Sequence, residues 1–360
     1  MTDYSAQTNP QPYNDAEAPP STTRPVMQPD NPYASTRGSI TSKQLPAFDE
    51  AIINKYNRSG PRYTSYPTAL EFTPIPENIG VNGFEAVGLE TKILQNRESR
   101  APLSLYFHIP FCRHLCYYCA CNKIITKKNS DSGDYLQYLM AEIALKRRLL
   151  SVPEGSDKPL VKQLHLGGGT PTFLRDEEMV QLWEFLQTQF EFLSDDEGDY
   201  SIEIDPRELS DNTLKILRNL GFNRISLGVQ DLDETVQIAV NRVHSAELIE
   251  NVLTEARALG FHSINIDLIY GLPHQTPATL DKTVHRIIEM SPDRLSVFNY
   301  AHLPERFKAQ RQIKDEDLPS PAAKLAMLGN TVNTLTEAGY VGEDVENIIQ
   351  KYWYRSLCQA

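Results

Sequence analysis

The sequence has no run of apolar residues long enough to cross a bilayer, and nothing near its start resembles a secretory signal. It therefore reads as a chain of a reducing, cytoplasmic compartment with no membrane partner. It also lacks an excess of positive charge: 35 Lys and Arg against 47 Asp and Glu leave a net charge of −12. That balance excludes a nucleic-acid binder, which needs a basic footprint. An anionic substrate would have to find a local cluster of Arg or Lys against the overall field. Cysteine is scarce, with five in 360 residues. Four of the five, Cys112, Cys116, Cys119 and Cys121, nevertheless fall within ten positions of one another.

Ser104 to Ile109 reads as a short buried strand that Pro110 stops, so these cysteines lie on the loop that follows. A disulfide knot does not suit a reducing compartment. Structural zinc usually takes two separated ligand pairs, and no second Cys or His pair is spaced to match. An iron–sulfur cluster on Cys112, Cys116 and Cys119 suits the thiolates better, with zinc and unliganded thiols as the alternatives.

Residues 1–45 are rich in Pro, Ser, Thr, Asn and Gln and read as a disordered leader. Residues 46–100 read as an arm whose Tyr56–Thr68 stretch is dense in aromatics, Pro and Arg, with Arg58 and Arg62 available to carboxylates. Asp134 is expected to cap a helix running to Leu150. Strands then alternate with amphipathic helices at Gln163–Leu166, Tyr200–Ile204, Arg224–Val229, Ile264–Ile269 and Arg294–Phe298. The phrases Asn219-Leu-Gly-Phe222 and Ala258-Leu-Gly-Phe261 repeat a helix end, a glycine cap and a strand start. The fold class is α/β, with six parallel strands. With no dinucleotide fingerprint after the first strand, an incomplete (β/α)6-type barrel over 101–340 is expected rather than a doubly wound sheet. A third copy ends at Ala338-Gly-Tyr340, after which residues 341–360 read as a poor strand and a tail of no recognisable pattern.

In a parallel barrel the chemistry gathers where strands end. Glu203 and Asp267 alternate with apolar neighbours there, and each should meet a ligand or an arginine such as Arg224 or Arg294. Gly167 to Thr170 lets backbone amides approach a ligand, although a tight turn accounts for the glycines equally well. His108 is a further site candidate, whereas His165 and His262 read as ordinary strand histidines.

The C-x3-C-x2-C spacing, with Tyr118 before the third cysteine, resembles the radical S-adenosylmethionine superfamily. Beyond the loop, the phrases Ser-Gly-Pro-Arg-Tyr-Thr-Ser-Tyr-Pro-Thr, His-Leu-Gly-Gly-Gly-Thr-Pro-Thr, Ile-Glu-Ile-Asp-Pro-Arg-Glu, Gly-Val-Gln-Asp and Asn-Ile-Asp-Leu-Ile-Tyr-Gly-Leu-Pro resemble the oxygen-independent coproporphyrinogen III oxidase family within it. The resemblance implies a [4Fe–4S] cluster on Cys112, Cys116 and Cys119 and two S-adenosylmethionine molecules. Their matching contacts are Tyr106, Tyr118, Gly168, Gly169, Thr170, Glu203, Gln230, Arg242, Asp267 and Ala301. Cys121 and the arm match the oxidase branch rather than the related haem-trafficking proteins, which are the alternative.

The implied reaction is oxidative decarboxylation of two propionates of coproporphyrinogen III to vinyls through a 5′-deoxyadenosyl radical. The implied electron donor is a flavodoxin-type reductant, acting on a monomer. The resemblance stops near Tyr340, where the family continues into a helical C-terminal domain that closes over the site. This chain is expected to lack that cover and to turn over poorly.

Overall fold

The computed structural model describes residues 101–150, 158–194, 197–342 and 350–354. The leader, the arm, Arg58 and Arg62 lie outside them. The first half runs β1 (Leu103–Ile109), β2 (Phe111–Cys112), β3 (Ile124–Ile125), α1 (Ser130–Leu149), β4 (Leu160–Gly168), α2 (Asp176–Gln189), β5 (Glu191–Phe192) and β6 (Asp199–Ile204). The second half runs α3 (Thr213–Asn219), β7 (Arg224–Gln230), α4 (Glu234–Ala239), α5 (Ala246–Ala258), β8 (Ser263–Tyr270), α6 (Pro277–Met290), β9 (Arg294–Asn299), α7 (Pro321–Glu337), β10 (Val341–Gly342) and β11 (Gln350–Tyr354).

Strands β1, β4, β6, β7, β8 and β9 are neighbours in the order in which they occur, and all five pairings are parallel. The order never reverses. Right-handed crossovers then carry every connecting helix to the same face and leave the other face as a lumen. A doubly wound sheet would have a switch point, and this one has none. Among the described residues β1 stands at the free end of the path, so the barrel that they form is incomplete.

Strand alternation separates the two faces chemically. Leu164, Leu166, Ile202, Ile204, Ile225, Leu227, Ile264, Ile266, Leu268 and Leu295 are at most 3% exposed and form the helix-side core. The residues between them, including His165, Ser201, Glu203, Ser226, Asn265, Asp267 and Ser296, line the lumen. Parallel strands are usually apolar on both faces; here the lumen face is mainly polar, with Phe298 of β9 among its lining residues.

The glycine caps behave as the repeated phrase predicts, with φ of 103° at Gly221, 82° at Gly260 and 85° at Gly339. Ser320 caps α7 by accepting from the Ala323 amide at 3.2 Å, and Pro321 takes the first helical position. Two expectations are corrected. The helix expected from Asp134 starts earlier, at Ser130 after Asn129, with Asp131 in its first turn, so Asp134 lies within it. The tail also contains strand: Gln350–Tyr354 pairs antiparallel with β9, and Val341–Gly342 pairs with its end. An edge of unpaired backbone beside β9 favours a partner, and the aromatic run Tyr352-Trp-Tyr354 has the β-propensity to supply one.

Near the starts of β6, β7 and β8, Asn223 ties the turns together while only 2% exposed. Its amide donates to Gly198 O at 2.7 Å, its carbonyl oxygen Oδ1 accepts from the Tyr200 amide at 3.0 Å, and its backbone oxygen accepts from the His262 amide at 2.8 Å. Replacing it strands buried backbone groups. Asn223→Ala is expected to cost about 2–3 kcal/mol in urea unfolding, with the denaturant slope unchanged.

Candidate active site

The cysteine loop is closed at its base before any metal is considered. β2 and β3 pair in parallel, with Phe111 opposite Ile124 and Cys112 opposite Ile125. The Ile124 amide donates to Pro110 O at 2.7 Å and the Thr126 amide to Cys112 O at 3.0 Å. Neighbouring loops fix the middle of the loop. The Tyr117 amide donates to Val240 O at 3.0 Å, Asn241 Nδ2 to Leu115 O at 2.7 Å, and Gln310 Nε2 to Tyr118 O at 2.9 Å.

The end of β4 passes directly against this loop. The Gly169 amide donates to Ile109 O and the Thr170 amide to Phe111 O, both at 2.8 Å, and the Thr170 hydroxyl reaches Cys112 Sγ at 3.6 Å. A Cβ on Gly169 would lie 2.7 Å from Phe111 O and 2.9 Å from Cys112 Sγ, so only glycine allows the approach. The Gly-Gly-Thr stretch is therefore a close-packing device as well as a turn.

One carboxylate joins the loop to the next two strands. Asp205, at the end of β6, pairs with Arg207 at 2.6 Å and with Arg242 at 2.9 Å. Arg242 Nη1 also approaches Cys116 Sγ at 3.4 Å, and Arg207 Nη2 approaches it at 3.7 Å. Burial alone would raise the Asp205 carboxyl, but the Arg207 hydrogen bond and the Arg242 charge outweigh it and bring the group down to about 2. Two cations thus stand beside the Cys116 sulfur.

β7 ends in a strained residue. Gln230 has φ of 73°, after a register irregularity between Gly228 and Gln230, and its buried Oε1 has no hydrogen-bond partner. Next to it Asp231, 1% exposed, accepts from Thr283 Oγ1 at 2.6 Å, Gln275 Nε2 at 2.5 Å and the Asp233 amide at 2.9 Å. That network holds the turn and leaves the Gln230 amide aimed at the site.

The four cysteines, Tyr118, Gly168, Gly169, Thr170, Glu203, Gln230, Arg242 and Asp267 line one cavity of about 210 Å³ at the C-terminal ends of the strands. Tyr106 and Ala301 do not line it. Tyr106 is 56% exposed and donates or accepts at His108 Nδ1 over 3.1 Å, while Ala301 O accepts from Gln310 Nε2 at 3.2 Å. His108 sits beside the cavity, with Nε2 2.8 Å from Asn122 O. Glu203 accepts from the Gly168 amide at 3.2 Å and faces His165. Asp267 accepts from Asn265 Nδ2 at 2.7 Å and Ser226 Oγ at 3.1 Å, while burial and the Glu203 charge push its carboxyl up to about 6. Arg224 pairs with Asp199 at 2.6 Å rather than with either site carboxylate.

The sequence reading passed over Asp205, Arg207 and His165. The first two stand within the Ile-Glu-Ile-Asp-Pro-Arg-Glu phrase. The signal for His165 was its alternation with Leu164 and Leu166, which turns it into the lumen.

The family model of the Radical SAM superfamily matches residues 106–287, just over half of the chain. The chain belongs to the Radical SAM superfamily. Membership implies a [4Fe–4S] cluster and S-adenosylmethionine. The residues fit both. Three thiols line one cavity beside a glycine cradle and two arginines, and a buried amide oxygen there lacks a partner. Among the described residues no three Cys, His, Asp or Glu side chains are gathered around a single-ion point.

This radical SAM chain is 51% identical over 293 residues to oxygen-independent coproporphyrinogen III oxidase of Pseudomonas aeruginosa, covering 81% of this chain and 61% of that protein. It is 50% identical over 300 residues to the Escherichia coli enzyme of the same name, covering 83% and 62%. The solved structure of coproporphyrinogen III oxidase from Escherichia coli, described as a radical SAM enzyme, superposes with a TM-score of 0.74 at 45% identity, covering 87% of this chain and 65% of that one. The chain thus spans about three fifths of the length of the curated relatives it matches. No described helix is long and apolar enough to cross a membrane.

Removing the shared carboxylate would leave the buried Arg242 guanidinium and the half-buried Arg207 guanidinium without their common partner. Asp205→Asn is expected to lower stability at pH 7 by about 3–5 kcal/mol in chemical unfolding. Because the folded pKa is depressed, the wild-type contribution is complete above the unfolded value near pH 4 and is lost as pH falls toward about 2. The gap between wild type and variant should narrow by about 2–3 kcal/mol over that window.

Proposed function

We propose that this chain carries the radical S-adenosylmethionine core of an oxygen-independent coproporphyrinogen III oxidase. Cys112, Cys116 and Cys119 hold three irons of the cluster. Tyr118, Gly168, Gly169, Thr170, Glu203, Gln230, Arg242 and Asp267 bind S-adenosylmethionine, with Tyr106 and Ala301 completing the contacts of two such molecules. The observation that carries the reading is the convergence of all but two of these residues on one cavity, in a chain half identical to enzymes of that name.

When bound, the cluster and S-adenosylmethionine would supply the one-electron chemistry that removes a hydrogen atom from the β-carbon of each of the two reacting propionates of coproporphyrinogen III, with CO2 lost from the same side chain. The chain's own residues do the rest. The Gly168-Gly169-Thr170 edge brings backbone within reach of a ligand and packs it against Cys112. Gln230 presents an unpartnered amide oxygen to a donor group. Glu203 and Asp267 present acceptors from the lumen floor. Arg207 and Arg242 set two guanidinium groups against the Cys116 sulfur and fix its position. The electron arrives from a flavodoxin-type reductant in the cytoplasm, and one electron per vinyl leaves to an acceptor.

The test is an anaerobic assay of cluster-reconstituted protein with dithionite, S-adenosylmethionine, coproporphyrinogen III and a cell extract as the source of acceptor. Protoporphyrinogen IX together with 5′-deoxyadenosine is the expected result. Deoxyadenosine alone would mean that the radical machinery works while substrate handling is lost, and tight haem binding without S-adenosylmethionine cleavage would favour the trafficking alternative. Single Cys→Ser changes at 112, 116 and 119 should each abolish cleavage and reduce bound iron, whereas Cys121→Ser should retain the iron.

A further inference from the structure

Gln310 lies 192 positions after Tyr118 in the sequence, yet its side chain joins the cysteine loop to the segment that follows β9. It stands in a short 3₁₀ turn, Lys308–Gln312, and is 1% exposed. A polar side chain so buried needs partners, and this one has three, all of them backbone groups. Nε2 donates to Tyr118 O at 2.9 Å and to Ala301 O at 3.2 Å, and Oε1 accepts from the Leu303 amide at 2.6 Å. Carbonyl oxygens only accept and a backbone N–H only donates, so these partners fix which end of the side chain is nitrogen. Both amide hydrogens and the oxygen are then in use.

The turn has other reasons to sit where it does. Ile313, just after it, packs with Val240, Leu272 and Tyr300, and Tyr117 and Tyr118 lie against the same apolar cluster. Arg311 Nε donates to Pro304 O at 3.0 Å, and His302 Nε2 lies 3.0 Å from Asp315. Apolar packing brings the segment to the loop but is not directional. The Gln310 amide adds the direction, because one nitrogen ties two carbonyls from distant parts of the chain. Tyr118 falls between Cys116 and Cys119, so the pinned stretch is the one that carries two of the three cluster cysteines. Each carbonyl keeps a second lone pair for a donor of a ligand.

We propose that Gln310 is a positioning residue for the S-adenosylmethionine site, its amide nitrogen setting the separation between the Tyr118 and Ala301 carbonyls. Both residues are among the S-adenosylmethionine contacts of the function proposed above, so the ligand rests on that reading. The clip between the two segments does not.

Hydrogen exchange of the cluster-loaded chain, read by mass spectrometry without ligand, tests the clip. Methionine fills a similar volume but offers no donor and only a weak acceptor. Peptides covering 113–121 and 301–307 should therefore both exchange faster in Gln310→Met, and faster exchange in 301–307 alone would overturn the clip. Equilibrium binding of S-adenosylmethionine, at matched iron and sulfide content, tests the positioning. Affinity should fall roughly tenfold in Gln310→Met. Ile313→Val, which loosens the packing of the same turn and leaves both carbonyls tied, should bind close to wild type. Unchanged affinity in Gln310→Met, or an equal loss in Ile313→Val, would reduce Gln310 to general support of the turn and overturn the positioning role. Should Gln310→Met not fold, the wild type decides: added S-adenosylmethionine should slow exchange in both peptides together, and protection of one alone would overturn the proposal. A wild type that does not bind S-adenosylmethionine would overturn the ligand assignment, with the exchange result without ligand still deciding the clip.

Discussion

Two guanidinium groups share one buried carboxylate beneath the cysteine loop, and the arrangement of the site depends on that triad. Asp205 comes from the end of β6, Arg207 from the turn after it and Arg242 from the segment after β7, so three stretches of chain meet at one charge centre. Arg242 is only 6% exposed, and a cation so placed is stable only if paired. The pairing in turn fixes where the Cys116 sulfur can sit. A change in any one of these groups is felt by the loop, by the strand end and by the neighbouring Gln230 turn.

The sheet topology explains why such a centre is available. A strand order that never reverses keeps all crossover helices on one face, so the other face need not be apolar. Successive strands could then place Glu203, Ser226, Asn265, Asp267 and Ser296 side by side without burying any of them in hydrocarbon. The apolar alternates supply the stability that this polar face does not. Gln230 illustrates the exchange: its left-handed backbone is unfavourable for a residue with a side chain, and the buried Asp231 network holds it in place.

Much of this was legible in the sequence, because alternation and helix punctuation are local properties. All six parallel strands were placed within a few residues, and the Gly221 and Gly260 caps marked the repeat. The cysteine loop and the Gly-Gly-Thr turn were legible for the same reason. What escaped depends on contacts between distant segments. Asp205 and Arg242 are 37 positions apart and meet only in the fold. His165 looks like any strand histidine until Ser201 and Glu203 on the neighbouring strand are seen to flank it. The final strand escaped because its aromatic run has no alternation, and its pairing is decided by the open edge of β9.

The parallel pairing of β2 with β3 has a consequence for how the loop meets its metal. Cys112 ends one of two strand segments hydrogen-bonded to each other, Cys116, Cys119 and Cys121 lie between those segments, and the middle of the loop is held by Val240, Asn241 and Gln310. The loop is thus tied across its base and at its middle by the polypeptide's own hydrogen bonds, separately from any bond that a cysteine sulfur makes.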